Sequence, residues 1–388
     1  MSSLNVIRRG GAYKTRVIIH GVRKSYSTTV NSTVQTLDKI ESFPENSTIF
    51  SLIQPTGNIH LGNYLGAIRG WKELSETESQ GSKFIFGIAD LHAITLPKEA
   101  HKLKQFRYEA IASILAGGLN PDKCIVFHQS AVPEHTELSW YLTCITSMGS
   151  LNRMTQWKSK AQQTDSSSIY EDSVLESTKA GLLCYPILQA ADILIYRSTH
   201  VPVGDDQTQH LELTRGIANT FNHTYNTKFF PIPKTLLTPS KKILSLRNPG
   251  KKMSKSDPDQ NSCVYVTDEP DVIAKKIRKA TTDSIQGRIY YDPEERPGVS
   301  NLINVISGLT GVTVEQTVKD LEWVKDHKQF KDFVTELIVN EFKDSRELYN
   351  HLLTDLSHLD QICKEGGNKA REIASANITE VRKLIGMD

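Results

Sequence analysis

Short apolar runs recur along this chain, each followed by a polar or glycine-bearing loop and then by a stretch with helical periodicity. The runs are Thr48–Ile53, Lys83–Ala89, Cys124–Phe127, His200–Val203 and Ile243–Leu246. Between them, Leu61, Leu65, Ile68, Trp71 and Leu74 repeat every three or four positions, as do Leu103, Phe106, Ala110 and Ile114. Strand and helix signals that alternate in this way predict an α/β fold with a doubly wound parallel sheet, here over residues 45–260. Beyond residue 260 the strand signals fade. Helical periodicity then covers Val272 to Ala280, Leu302 to Leu309, Val314 to Trp323, Phe330 to Leu356 and Glu372 to Ile385. A helical region over 261–388 is expected, with its last helix packing back on the first domain. A chain of 388 residues has room for two or three domains.

Composition sets the class. With 38% hydrophobic and 23% charged residues the chain can build a sizeable core, and no apolar run is long enough to span a bilayer. Five cysteines, an odd number with no Cys-x-x-Cys pair, disfavour a disulfide framework and a thiolate zinc site. No metal site is expected. The net charge of +2 hides an asymmetry. Residues 1–37 carry Arg8, Arg9, Lys14, Arg16, Arg23 and Lys24, and the first acid is Asp38. Without that leader the balance becomes −4. Acid-free, Arg-rich and Ser-rich, with only Val17-Ile18-Ile19 as an apolar run, it reads as a mitochondrial transit peptide rather than a secretory signal. A basic arm that touches nucleic acid has the same composition. A Ser/Gln/Thr-rich stretch within 161–173 reads as a polar surface insertion.

In a doubly wound sheet the ligand sits beyond the carboxyl ends of the strands. The segments at those ends are unusual. Gln54-Pro55-Thr56-Gly57 through His60-Leu61-Gly62-Asn63 follows the first strand, Asp90-Leu91-His92 the second, and His128-Gln129-Ser130 the third. Gly204-Asp205-Asp206-Gln207 follows the fourth, and Lys251-Lys252-Met253-Ser254-Lys255-Ser256 the fifth. A glycine-bearing turn that opens a helix brings backbone N–H groups to a phosphate, although a His in that place also serves as a plain helix cap. Three lysines within five residues make a repelling, solvated turn unless a polyphosphate gathers them.

His60-Leu61-Gly62-Asn63 resembles the first signature of class I aminoacyl-tRNA synthetases, and Lys252-Met253-Ser254-Lys255-Ser256 matches their second letter for letter. Either signature alone is weak, but the pair with α/β patterning between is specific. Within that class the chain is similar to tryptophanyl-tRNA synthetases of the bacterial and organellar type. The similarity runs through Phe50 to Gly57, Asp90 to Thr95, Arg153 to Lys158, Tyr185 to Tyr196 and Val201 to Arg215. Two departures stand out. The first signature begins with His60 where many bacterial relatives have Thr, and Gln189 stands where they commonly have Met.

The resemblance implies a Rossmann-like catalytic domain, ATP with Mg²⁺, L-tryptophan and tRNA(Trp) as partners, a homodimer without membrane attachment, and a helical region that reads the anticodon. With the leader it implies the mitochondrial matrix. By matched position, Gln54, Pro55, Thr56, His60, Gly62, Asn63, Gly204, Asp205, Asp206, Ile243, Lys252, Met253, Ser254, Lys255 and Ser256 surround ATP. His60, Asn63, Lys160, Lys252 and Lys255 are the implied catalytic set. Phe50, His92, Tyr185, Gln189, Asp192, Val201, Val203 and Gln207 surround tryptophan.

The amino-acid pocket also has a reading of its own. Tyr185, Gln189 and Asp192 are spaced to share one helix face. An indole N–H only donates, so it needs a buried acceptor, and Asp192 supplies one. The same Asp would be at home paired with a core Arg or a helix amide. Tyrosyl-tRNA synthetases carry a similar Tyr-x-x-x-Gln-x-x-Asp helix, so tyrosine is the alternative substrate. A nucleotidylyltransferase would share His-x-Gly but not the lysine loop. A non-catalytic RNA-binding relative would be expected to lose signature residues that are intact here.

Overall fold

A computed structural model describes residues 33–36, 42–77, 79–161, 169, 171–237, 243–255 and 257–388. Ser256, most of the 161–173 insertion and residues 1–32 lie outside the described residues. The strands are β1 (Val34–Thr36), β2 (Thr48–Ile53), β3 (Lys83–Ile88), β4 (Ile125–His128), β5 (His200–Val203) and β6 (Lys234–Leu237). They form one sheet in the order β1-β6-β5-β2-β3-β4, with every neighbouring pair parallel. The chain builds outward from β2 to β4, then crosses back to lay β5 on the other side of β2. The crevice between β2 and β5 is therefore the topological switch point, where such sheets bind ligands.

The pleat sends successive side chains to opposite faces. Ile49, Phe84, Phe86, Ile88 and Val126 enter one apolar cluster, with Trp71 stacked on Phe86 at 4.8 Å. Phe50, Ile85, Phe127 and Val201 enter the other. Helices cover both faces, as a parallel sheet requires.

The expectations differ from the structure in three places. Ile243–Leu246 is not a strand of the sheet. Leu244 makes only an isolated antiparallel bridge to Lys252, and the sheet instead takes Lys234–Leu237. Val34–Thr36, inside the segment set aside as leader, pairs in register with Thr235, Leu236 and Leu237 and caps the sheet edge. The last helix is also longer than its periodicity suggests and spans Leu356–Ile385.

That helix lies against the opposite edge, β4. Gly366 permits the contact, because a Cβ there would stand 1.8 Å from the Val126 carbonyl oxygen. Leu359 and Cys363 pack in the first cluster, while Ala370, Ala374, Ile378 and Val381 pack in the second. Arg382 pairs with Glu137 through two 2.7 Å bonds. Thr33–Asp388 is one compact unit. Val264, Ile273 and Leu302 share the cluster of Ile59, Leu61 and Leu65, so the composition shift at 260 marks a change of element type within continuous packing. Among the described residues no helix is long and apolar enough to cross a membrane.

Candidate active site

The segment after β2 runs into a helical stretch of three parts, Leu61–Asn63, Tyr64–Ile68 and Arg69–Glu76. The middle part has the wider π-helical winding, a feature common at functional sites. His60 caps the start, its Nδ1 accepting from the Asn63 N–H at 3.2 Å. The imidazole is buried, and burial together with Lys255 and Lys252 pulls its pKa down to about 3. His60 is thus neutral at ordinary pH and leaves its other nitrogen to donate. A Cβ on Gly62 would stand 3.0 Å from the His60 ring and 3.6 Å from the Ile243 Cβ. A flat group can lie close to the backbone there, between the first loop and Ile243. Asn63 Oδ1 is buried without a hydrogen-bond partner and suits a donor on a ligand.

The lysine loop closes over this place. Met253 is buried, and its N–H bonds the Ile243 carbonyl at 3.0 Å. Lys255 Nζ donates to the Gly57 carbonyl at 3.0 Å, to Thr56 Oγ1 at 3.1 Å and to the Thr56 carbonyl at 3.3 Å. Burial lowers its pKa to about 8. Lys252 Nζ stands 3.9 Å from Asp206 Oδ1, which joins the loop to the turn after β5. Asp205 and Asp206 are exposed there, as are Gln54, Thr56 and Ser254 at the other ends, whereas Pro55 is buried. A Cβ on Gly204 would stand 3.0 Å from Asp206 Oδ1. Lys160, at the end of the helix Thr155–Lys160, holds its ammonium 4.2 Å from the Tyr185 ring centre.

The second half of the crevice centres on Asp192, 1% exposed, on the helix Ala180–Leu194. Its carboxylate meets His92 Nε2 at 2.7 Å, His135 Nδ1 at 2.6 Å and the Gln129 amide at 2.7 and 2.9 Å. Burial would raise its pKa, but the His135 and His92 imidazoles prevail and hold it at about 2. A carboxylate offers about four acceptor positions. One Gln129 nitrogen faces both oxygens, so three donor atoms meet about four acceptor positions. The structure thus pairs Asp192 with imidazoles and an amide, not with a core Arg.

Of the other expected pocket residues, Tyr185 places its ring 6.1 Å from that of His92. Phe50 stacks on Tyr196 at 5.2 Å, and Tyr185 OH lies 3.2 Å from His210 Nε2 and 3.1 Å from Gln156 Oε1. Gln189 donates to Gln207 Oε1 at 3.2 Å, and Val201 is buried beside half-buried Val203. Gln129, His135, Tyr196 and His210 received no role from the sequence. Gln129 lies directly after β4, at a strand end. His135, whose Nε2 lies 2.8 Å from Tyr196 OH, gave no signal, because it acts through a residue on another element. Asp90 ties two strand ends together, accepting from the Ser130 N–H at 2.9 Å, and forms an ion pair with Arg107. Among the described residues no group of three or more His, Cys, Asp or Glu could hold a metal ion.

Known proteins fit this geometry. Residues 44–343 match the family of tRNA synthetases class I (W and Y). The chain is 51% identical to the mitochondrial tryptophan–tRNA ligase of Saccharomyces cerevisiae, across 92% of this chain and 96% of that one. The tryptophanyl-tRNA synthetase of Mycoplasma pneumoniae superposes with a TM-score of 0.76 at 32% identity, over 88% of this chain and 98% of that one. That of Campylobacter jejuni, solved with ADP and tryptophan, does so with a TM-score of 0.70 at 32% identity, over 87% and 99%. With both signatures intact, Lys255 bonded to the loop that leads into the first, and a buried Asp192, the chain belongs to the class I aminoacyl-tRNA synthetases, among the tryptophan–tRNA ligases.

Proposed function

We propose that the crevice binds ATP and L-tryptophan side by side, ATP between the first loop, Ile243 and the lysine loop, and tryptophan over Asp192. The observation that carries this is Lys255, which reaches from the second signature to Thr56 and Gly57, in the loop that leads into the first. A tryptophan carboxylate oxygen then attacks the α-phosphorus, a new O–P bond forms, and the bond to pyrophosphate breaks. The resulting Trp-AMP is consumed when a hydroxyl of the tRNA 3′ end attacks the carbonyl carbon and AMP leaves. No side chain need act as nucleophile, so the protein supplies position and charge. Lys252 and Lys255 would leave Asp206 and Thr56 to meet the triphosphate, with Lys160 approaching from the Tyr185 side. His60, kept neutral, donates to a phosphate oxygen, and Asn63 Oδ1 takes a donor from the adenosine. Ile243 and Gly62 bracket the adenine. Asp192 accepts the indole N–H, Tyr185 and Gln207 orient the ammonium group, and Phe50, His92, Gln189, Val201 and Val203 wall the pocket. Magnesium would arrive on the triphosphate, with phosphate oxygens and water as its ligands.

The helical region 261–388 is read as the anticodon-facing part. It carries three basic pairs, Lys275-Lys276, Arg278-Lys279 and Arg382-Lys383. Lys276 is committed to Asp268 at 2.6 Å, Arg382 to Glu137 and Lys383 to Glu380 at 2.8 Å, which leaves Lys275, Arg278 and Lys279 as the exposed candidates for phosphate. A homodimer would cover Trp140, 66% exposed on the helix Glu134–Ile145. Sedimentation at twice the 43.5 kDa chain mass would show it. The leader's composition and the yeast relative support a mitochondrial protein acting in the matrix.

The test is amino-acid-dependent ATP–pyrophosphate exchange, with tryptophan and tyrosine in parallel. Exchange with tryptophan alone is expected. Exchange with tyrosine would keep the mechanism and overturn the pocket assignment.

A further inference from the structure

The segment that carries Ile243 has two edges. On one, Leu244 bridges to Lys252, with Ser245 N–H bonding the Lys251 carbonyl at 2.8 Å and Met253 N–H the Ile243 carbonyl at 3.0 Å. That edge is the base of the lysine loop. In such a bridge the N–H and C=O of Leu244 itself point the other way. No strand among the described residues receives them. Asn301, on the helix Pro297–Thr310 and 2% exposed, takes both: its Oδ1 accepts from Leu244 N–H at 2.8 Å, and its Nδ2 donates to the Leu244 carbonyl at 3.0 Å. One side-chain amide thus supplies the two bonds a neighbouring strand would make. The helix that carries it is anchored in the core through Leu302, Ile303 and Ile306.

We infer that Asn301 is a positioning residue for the nucleotide step. It fixes the Ile243–Leu246 segment against the helical region, and so sets both the gap between Ile243 and Gly62 and the base from which Lys252 and Lys255 reach the triphosphate. The inference rests on the proposed ATP site. Asn301 touches no tryptophan-pocket residue in the described contacts, so its loss is directed at ATP.

The experiment is pyrophosphate exchange by the full chain, with ATP and tryptophan varied separately, for the wild type, Asn301→Ala, Asn301→Asp and Lys255→Ala. Asn301→Ala loses both bonds. Its kcat/KM for ATP should fall about tenfold, the scale of one or two lost hydrogen bonds, while KM for tryptophan stays within about twofold. Asn301→Asp keeps the acceptor but sets a negative charge against the Leu244 carbonyl. A protonated carboxyl has the donor and acceptor of the amide, and burial raises carboxyl pKa values. The ratio of Asn301→Asp to wild-type kcat/KM for ATP should therefore rise as pH falls from about 8.5 to about 6.5. That signature remains readable if Asn301→Ala fails to fold. Equal losses for both substrates, or wild-type ATP kinetics in the Asn301 variants beside a crippled Lys255→Ala, would overturn the positioning role. Unchanged ATP kinetics in Lys255→Ala as well would instead overturn the ATP site.

Discussion

Lys255, half-buried, and Asp192, buried, are charges handled in opposite ways. Lys255 has backbone carbonyls and one hydroxyl as partners, and burial lowers its pKa to about 8. In the unliganded enzyme it loses its proton as pH rises through about 8, whereas a bound triphosphate would restore the charge. The kcat/KM for ATP, which reports the free enzyme, should therefore fall above about pH 8 while kcat holds to higher pH. A flat kcat/KM profile to pH 9.5 would exclude this. Lys255→Ala should lower kcat by about a hundredfold or more, with little change in KM for tryptophan. Asp192 is instead held by three side-chain donors. Asp192→Ala would strand His92, His135 and Gln129 in the core, so Asp192→Asn is the cleaner probe. It keeps the shape but turns one acceptor into a donor facing the indole N–H. The kcat/KM for tryptophan should fall by at least about a hundredfold while ATP binding survives. Tryptophan methylated on the indole nitrogen should be a correspondingly poor substrate of the wild type. Equal use of both amino acids would remove Asp192 from recognition.

At the scale of elements, legibility followed how locally each element is determined. β2, β3, β4 and β5 are short apolar runs buried on both faces, and such runs announce themselves. Lys234–Leu237 does not, because two of its four residues are polar and prolines precede it. Ile243–Leu246 is more apolar, yet the Asn301 amide occupies the edge another strand would need. The first half of the last helix was hidden by Gly366-Gly367, a pair that reads as a helix breaker. The glycines are there because the helix backbone abuts β4. Gly366→Ala therefore exchanges a gain in helix propensity of about 1 kcal/mol for a clash with the Val126 carbonyl, and should destabilise by about 2 kcal/mol or more in denaturant unfolding. Gly181→Ala, in a helix where a Cβ meets nothing within 4 Å, is the control and should be neutral or stabilising. If both substitutions behave alike, the close approach is not what fixes glycine at 366. The site's loops were legible for a different reason: Gly, His, Asp and Lys at strand ends have little use in a core. Gln129 and His135 were not, since each matters only through the Asp192 carboxylate that folding brings to it.

The whole molecule turns on where the basic leader ends and the sheet begins. Composition alone runs the leader to residue 37, because the first acid is Asp38. The sheet draws the line earlier: Val34–Thr36 pairs with β6, and Thr235 N–H bonds the Thr33 carbonyl at 2.8 Å. Without these residues β6 becomes an edge strand with open N–H and C=O groups, a surface that invites pairing between copies. Six basic residues lie upstream of Thr33, so an import leader loses no charge by ending there. Two truncated proteins distinguish the boundaries. One begins at Thr33 after its initiating Met, the other at Asp38. Each ladder hydrogen bond is worth about 1 kcal/mol net, so the shorter protein should unfold several degrees lower and aggregate more readily near its Tm. Both should retain pyrophosphate exchange at 25 °C, since β1 lies two strands from the β2–β5 crevice. Sequencing the N-terminus of the protein recovered from mitochondria should place it at or before Thr33. A mature start at Asp38, with equal stability of the two truncations, would show that β1 belongs to the leader and not to the working enzyme.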